Sequence, residues 1–129
     1  MRYLLDTHVV IWWLADEPSL PSRAAEVIAD VANTIFVSAM SIWEITIKAS
    51  LGKLEVDVDE VLAALSPAGL EPLSFGIYDA AEVRALPALH RDPFDRALVA
   101  QARRNGLQLL TDDDRLAAYG APVVRLSEI

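Results

Sequence analysis

The sequence contains no cysteine, and it has no long run of apolar residues. The absence of cysteine excludes disulfide bonds, thiolate chemistry and cysteine-ligated zinc, and it leaves the redox compartment open. The apolar run from Val9 to Leu14 is too short for a signal peptide and far too short for a membrane span. We therefore expect a soluble, cytoplasmic protein.

Positive charge is also scarce, since 11 Lys and Arg residues stand against 19 Asp and Glu residues, for a formal net charge of −8. Taken alone, this balance argues against a nucleic-acid partner, because phosphate binding usually shows as an excess of basic residues. Two arrangements remove the objection. Clustered carboxylates can hold divalent cations, whose charge reverses the local field, and an oligomer can gather its few basic residues on one face.

Apolar residues are plentiful at 53%, enough for a hydrophobic core, and 129 residues fit one domain spanning the whole chain. Short apolar runs predict five strands, at residues 2–6, 34–38, 71–75, 107–111 and 122–126. Segments of helical periodicity lie between them, at residues 22–32, 39–51, 59–65, 78–86 and 93–104. This alternation predicts an α/β domain in which a parallel sheet of about five strands lies between helices.

One helix carries a clear apolar stripe. In the predicted helix at residues 22–32, four side chains at helical spacing are expected to face the core: Ala24, Val27, Ile28 and Val31.

Carboxylates stand where the predicted strands end. Asp6 ends the first strand, and the run 112–114 of three aspartates follows the fourth. Glu44 lies in the helix that leaves the second strand, and the helix before the fourth strand begins with Asp92-Pro-Phe-Asp95. Because the carboxyl ends of parallel strands meet at one edge of a sheet, we expect these acids to form one cluster.

Most of these acids also have a purely structural interpretation. Asp6 could cap the helix that follows it. Asp92, before Pro93 and with Asp95 three residues on, is an ideal helix start. At least one aspartate of the run 112–114 is expected only to open a short helix.

Glu44 has two interpretations. With Ser41 three residues before it, Glu44 fits a capping box. Ser38 is an equally good cap, and a helix starting there places Glu44 inside the second turn, where a carboxylate among apolar residues needs a partner.

Four acidic sites at one edge of a sheet would repel one another, which raises their pKa values and costs stability. Bound Mg²⁺ or Mn²⁺ would relieve the repulsion, because hard cations prefer oxygen ligands. Such a site suits phosphodiester hydrolysis, in which a metal activates water and stabilises charge on the phosphate.

Four blocks of the sequence follow the order and spacing of a known family. They are Leu4-Leu-Asp-Thr-His8, Val37-Ser-Ala-Met-Ser-Ile-Trp-Glu-Ile-Thr-Ile-Lys48, His90-Arg-Asp-Pro-Phe-Asp-Arg96 and Leu109-Leu-Thr-Asp-Asp113. Together they resemble the PIN domain of the VapC toxin type, over essentially the whole chain. The second and third blocks are specific, whereas the first alone would not be.

The resemblance implies a PIN-like three-layer fold and a metal-dependent endoribonuclease that uses Mg²⁺ or Mn²⁺. It further implies the toxin of a type II toxin–antitoxin pair, with an RNA substrate, a cognate VapB-type antitoxin and a homodimer. It implies water attack that displaces the 3′ oxygen and leaves a 5′-phosphate. A non-catalytic PIN binding module and a structure-specific DNA nuclease of the wider PIN group remain the alternatives.

Carried over residue by residue, the family's four acids fall on Asp6, Glu44, Asp95 and Asp113. Asp6, Asp95 and Asp113 are then the metal ligands, and Glu44 ligates metal or orients the attacking water. Further acids could join or replace them: Asp92, Asp112 and Asp114.

Basic residues near these acids are candidate contacts for RNA phosphates. Lys48 lies one helical turn beyond Glu44, and Arg91 and Arg96 bracket the acids of the third block. His90 is expected to be a loop residue.

Overall fold

A computed structural model describes all residues from Met1 to Ile129. Five strands form one sheet in the order β3-β2-β1-β4-β5, and every neighbouring pair is parallel. The strands are β1 (Arg2–Leu5), β2 (Thr34–Ser38), β3 (Leu70–Leu73), β4 (Gln108–Thr111) and β5 (Val123–Arg125). The predicted five-stranded parallel α/β sheet is confirmed.

Seven α-helices connect the strands or follow them. They are α1 (Thr7–Leu14), α2 (Ser22–Ala29), α3 (Ala39–Ser50), α4 (Val58–Leu65), α5 (Ile77–Glu82), α6 (Pro93–Asn105) and α7 (Asp114–Ala117). None of them combines the length and the apolar character needed to cross a membrane.

The hydrophobic core lies on both faces of the sheet. Leu4 of β1 packs in a cluster with Leu98 of α6 and Leu116 of α7. Its neighbour Leu5 packs in a second cluster, which includes Val9 of α1 and side chains of α2. Successive residues of a strand point to opposite faces, so the central strands must be apolar throughout.

The prediction for the second helix was wrong at its end. Helix α2 stops at Ala29, and Val31 is fully exposed instead of completing the apolar stripe. Asp30 Oδ1 accepts a hydrogen bond from the backbone N–H of Ala32 at 2.9 Å, and the Asn33 amide donates to the carbonyl of Val27 at 2.9 Å. These side chains turn the chain out of the helix, because Asp and Asn compete with helical hydrogen bonding.

Strand order reverses at the centre of the sheet. The chain lays β1, β2 and β3 outward to one side and then returns to place β4 and β5 on the other side of β1. Ligand sites of open α/β sheets form beyond the carboxyl ends of the strands at such a reversal. Here Leu5 pairs with Leu110, so the residues after β1 and β4 emerge side by side.

Candidate functional site at the carboxyl edge of the sheet

A polar cavity of about 330 Å³ opens at this edge of the sheet. Ten side chains line it, and all of them are polar. Six are carboxylates (Asp6, Glu44, Asp92, Asp95, Asp112 and Asp113), two are positively charged (Lys48 and Arg115), and the others are Thr7 and His8. The structure therefore brings the four predicted family acids together, as expected from parallel strands whose carboxyl ends meet at one edge.

Asp6 lines the cavity and is only 5% exposed. It holds the N-cap position of α1, yet its side chain makes no capping hydrogen bond. Instead, Asp6 Oδ2 accepts a hydrogen bond from Thr111 Oγ1 at 2.7 Å. Burial raises the pKa of Asp6 to about 7, and repulsion from Asp95 adds to the rise, while the bond from Thr111 opposes it. The capping interpretation of Asp6 is wrong.

Thr111 connects two acids that are far apart in sequence. It is the last residue of β4 and is fully buried. While its hydroxyl donates to Asp6, the same oxygen accepts the backbone N–H of Asp113 at 3.0 Å. The sequence showed a threonine at the strand end but gave it no role, because this role depends on β1 and β4 being neighbours.

Glu44 is held inside α3 by the way that helix begins. Ser38 caps the helix by accepting the backbone N–H of Met40 at 3.0 Å, so Glu44 falls in the second turn. Ser41 instead accepts a hydrogen bond from Thr7 Oγ1 at 2.8 Å. The capping-box interpretation of Ser41 and Glu44 is therefore wrong.

One oxygen of Glu44 has no partner. Oε2 lies 2.6 Å from Lys48 Nζ, whereas Oε1 is buried without any hydrogen bond. The residue is only 5% exposed. Buried carboxylate oxygens rarely remain unsatisfied, so this atom indicates a site for a further donor or cation.

Asp92 and Asp95 open α6. Asp92 Oδ1 accepts the backbone N–H groups of Phe94 at 2.9 Å and Asp95 at 3.2 Å, which confirms it as the helix cap, and its side chain also lines the cavity. Asp95 is buried and faces the same space. Burial raises the pKa of Asp95 to about 6, with repulsion from Asp92 and Glu44 adding to it.

His90 is buried beside Asp95, although the sequence marked it only as a loop residue. Its Nδ1 accepts the backbone N–H of Arg91 at 3.0 Å, so the proton of the ring must lie on Nε2. That nitrogen is 2.7 Å from Asp95 Oδ2 and donates to it. A ring nitrogen of His90 and one carboxylate oxygen each of Asp95 and Asp113 lie within 4.8 Å of one another. Because Nε2 already donates its proton, His90 orients Asp95 here and does not offer a free lone pair.

Asp113 caps the short helix α7 and pairs with Arg115. Its Oδ1 accepts the backbone N–H of Arg115 at 2.8 Å, and the guanidinium donates to both of its oxygens, at 3.3 and 3.2 Å. Partial burial raises the pKa of Asp113, but the hydrogen bonds from Arg115 outweigh it, so the pKa lies below its ordinary value. Asp112 lines the cavity, whereas Asp114 lies outside it and pairs with Arg125 at 3.4 Å.

The predicted basic residues are divided between the cavity and its surroundings. Lys48 lines the cavity, but Arg91 and Arg96 do not. Arg96 donates to the backbone carbonyls of His90 and Val83, both at 3.4 Å. These hydrogen bonds stabilise the loop before α6. Arg115, which no sequence pattern singled out, takes a place at the cavity instead.

The donor set fits a hard divalent cation. Asp6 and Asp95 are buried without a Lys or Arg partner, and Glu44 keeps one unpartnered oxygen. Carboxylate oxygens are the ligands that Mg²⁺ and Mn²⁺ prefer. A cation would offset the burial, and the smaller repulsion, that raise the pKa values of Asp6 and Asp95.

A second cavity, of about 350 Å³, lies elsewhere and has a different character. Mostly apolar side chains of α1 and α4 line it, with three carboxylates among them: Glu55, Asp57 and Glu60. None of the predicted site residues contributes to it.

Comparison with known proteins agrees with this geometry. The family model of the PIN domain matches residues 3–122. Ribonuclease VapC22 of Mycobacterium tuberculosis is 34% identical over 122 residues, covering 92% of each chain. Among solved structures, VapBC2 from Rickettsia felis bound to a promoter DNA fragment aligns with a TM-score of 0.69 at 17% identity, over 97% of each chain. A toxin–antitoxin complex from Klebsiella pneumoniae aligns with a TM-score of 0.67 at 19% identity, over 98% of this chain and 99% of that one.

The solved structures share the fold, and the residues matched by the family model include all four acids. The chain therefore belongs to the PIN domain family, and within it the chain is similar to VapC.

Proposed function

We propose that this protein is a divalent-metal-dependent endoribonuclease and the toxin of a type II toxin–antitoxin pair. The observation that carries the proposal is the unpartnered oxygen of Glu44, buried in one cavity with Asp6 and Asp95. The name of the relative from M. tuberculosis, a ribonuclease, supports RNA as the substrate.

In this proposal Asp6, Asp95 and Asp113 hold Mg²⁺ or Mn²⁺, directly or through water. When bound, the cation supplies positive charge that stabilises the phosphate and lowers the pKa of a water molecule. The Thr111 hydroxyl keeps Asp6 in place, and the ring of His90 does the same for Asp95.

Glu44 ligates the cation or positions the attacking water, and Oε1 is the atom available for either role. Attack forms a bond between the water oxygen and phosphorus, and the bond from phosphorus to the 3′ oxygen breaks. The products carry a 5′-phosphate and a 3′-hydroxyl. Because Oε2 is already bonded to Lys48, the carboxylate of Glu44 is held in one orientation before substrate binds.

RNA cleavage by the purified protein tests this proposal. We expect cleavage with Mg²⁺ or Mn²⁺, none with chelator, and a loss on the order of 100-fold or more in Asp6→Asn. Asp114→Asn is the matched control, because Asp114 has the same side chain outside the cavity. Full activity of Asp6→Asn, or equal losses in the two variants, would contradict the assignment.

We also propose a VapB-type antitoxin as partner, bound in the apolar cavity between α1 and α4. Its apolar lining with a rim of Glu55, Asp57 and Glu60 suits an amphipathic segment that carries basic residues. The solved neighbours are named as toxin–antitoxin complexes, which supports a partner of this kind.

Binding to the product of the adjacent gene tests the partner. Leu14→Glu, in the apolar lining, should weaken the complex at least tenfold, since it buries a charge in the interface. Leu62→Glu, on α4 but outside the lining, should bind normally. Unchanged binding by a folded Leu14→Glu protein would remove the apolar cavity from the proposal.

We further propose a single domain that acts as a cytoplasmic homodimer, as the resemblance to VapC implies. Sedimentation of the purified protein tests the dimer, and a monomer at micromolar concentration would contradict it.

A further inference from the structure

Two positively charged side chains, Lys48 and Arg115, line the acidic cavity. Lys48 belongs to α3, which leaves β2, and Arg115 belongs to α7, which follows β4. Strand β1, which Asp6 directly follows, lies between β2 and β4. The helices that carry the two cations therefore follow the two strands that flank β1.

Each cation is anchored by an acid of the site. Lys48 Nζ lies 2.6 Å from Glu44 Oε2, and Arg115 Nη2 lies 3.2 Å from Asp113 Oδ2. The anchoring fixes the position of both charges at the cavity. The six carboxylates of the cavity also attract both side chains.

Both cations keep hydrogen-bond donors to spare. An ammonium has three donors and a guanidinium has five. One donor of Lys48 is engaged by Glu44, and two side-chain donors of Arg115 are engaged by Asp113. The side chains are 45% and 71% exposed, so the remaining donors are open to a ligand.

No other Lys or Arg side chain lines this cavity. Arg96 is turned away onto two backbone carbonyls, and Arg104 pairs with Asp79. An anionic strand approaching six carboxylates meets strong repulsion unless cations face it at the same place.

We propose that Lys48 and Arg115 form a phosphate clamp, each binding a phosphodiester group of one RNA strand that crosses the cavity over Asp6. This assignment rests on the proposed ribonuclease function and adds the residues that seat its substrate. It replaces Arg91 and Arg96, which the sequence favoured, by Arg115. The clamp makes substrate binding depend on the two cations even when cleavage is blocked.

The alternative to a phosphate clamp is that Lys48 and Arg115 only neutralise nearby carboxylates. If Lys48 and Arg115 only balanced the charge of Glu44 and Asp113, their removal would alter metal binding and stability but not the salt dependence of RNA binding. Each phosphate contact to a single strand adds about 0.7 to the slope of log affinity against log salt concentration. The slope therefore separates the two roles.

The experiment measures binding of a labelled single-stranded RNA to the full-length Asp6→Asn protein, which leaves the strand uncut. Mn²⁺ is kept at a fixed concentration that saturates this variant, and the KCl concentration is varied. Lys48→Met and Arg115→Gln are made in this background, and each should reduce the slope by about 0.7 and the low-salt affinity severalfold. Arg91→Gln is the matched control, because Arg91 is exposed nearby but outside the cavity.

Slopes of the Lys48 and Arg115 variants equal to that of Arg91→Gln would overturn the clamp and leave the ribonuclease proposal standing. A parent protein that binds no RNA at any salt concentration would overturn the clamp and the RNA substrate together. Thermal unfolding of each variant verifies that a lost contact is not a lost fold.

Discussion

At the scale of single residues, the four acids divide into two kinds. Glu44 and Asp113 each have a cation beside them, Lys48 and Arg115. Asp6 and Asp95 have none, and burial raises their pKa values to about 7 and about 6. The cost of burying carboxylate charge, which a metal would offset, therefore falls mainly on Asp6 and Asp95.

The raised pKa of Asp6 predicts the effect of Asp6→Asn on the stability of the metal-free protein. The folded state holds a proton that the unfolded state, with an ordinary pKa of 3.8, has released. The wild type therefore loses stability as pH rises from about 4 through 7. Asp6→Asn carries no such charge, and its amide oxygen can still accept the bond from Thr111.

We expect Asp6→Asn to melt above the wild type at pH 8 in chelator, and this gap to be clearly smaller at pH 5. Thermal unfolding at the two pH values measures it, with Asp114→Asn as control for the loss of one charge. A gap that is the same at both pH values would contradict the raised pKa of Asp6.

His90 gives a second prediction at this scale. His90→Ala leaves Asp95 Oδ2 without its donor, so we expect a loss of about 1–3 kcal/mol in the free energy of unfolding. We also expect metal affinity to fall on the order of tenfold. His90→Gln, which can place an amide donor near Asp95, should recover part of both. Equal metal affinity in wild type and His90→Ala would show that Asp95 needs no such support.

At the scale of elements, the sequence predicted the parts whose signals are local. Strand β2 was predicted at 34–38 and is found at Thr34–Ser38, because β-branched and aromatic residues mark it. Helix α6 begins at Pro93 as predicted, because Asp92 and Pro93 define a helix start wherever they occur. The gathering of Asp6, Glu44, Asp95 and Asp113 followed from parallel strands ending at one edge.

What the sequence could not predict depends on contacts between distant segments. Thr111 donates to an aspartate 105 positions away in the chain, and only the pairing of β1 with β4 makes that contact possible. His90 and Arg115 face the acids because of loop geometry before α6 and after β4, which carries no periodic signal. Arg91 and Arg96 bracket the acids in sequence but lie outside the cavity.

Asp92 both caps α6 and lines the cavity, so its contribution to helix stability can be measured by substitution. Asp92→Ala removes the cap and should lower the free energy of unfolding by about 1 kcal/mol, whereas Asp92→Asn should keep most of it. Chemical denaturation of both variants measures the difference. Equal losses in the two would mean that the charge of Asp92, and not its capping oxygen, stabilises α6.

At the scale of the whole molecule, the reversal of strand order explains how an acidic chain can act on an acidic polymer. The sheet directs six carboxylates into one cavity of a protein whose net charge is −8, and it adds only Lys48 and Arg115. Without a divalent cation such a cavity repels phosphate. With one, the local field changes sign, and the two fixed cations lie beside it.

Calorimetric titration of Mn²⁺ into the chelator-treated, dialysed protein tests most directly whether this carboxylate cavity binds a divalent cation. We predict saturable binding at pH 7.5 by the wild type and by Asp114→Asn, with affinity at least about tenfold lower in Asp6→Asn. We also predict weaker binding at pH 5.5, where Asp6 and Asp95 hold protons that the metal must displace. Binding by Asp6→Asn as tight as that of the wild type, or no binding by any of the three proteins, would contradict the account.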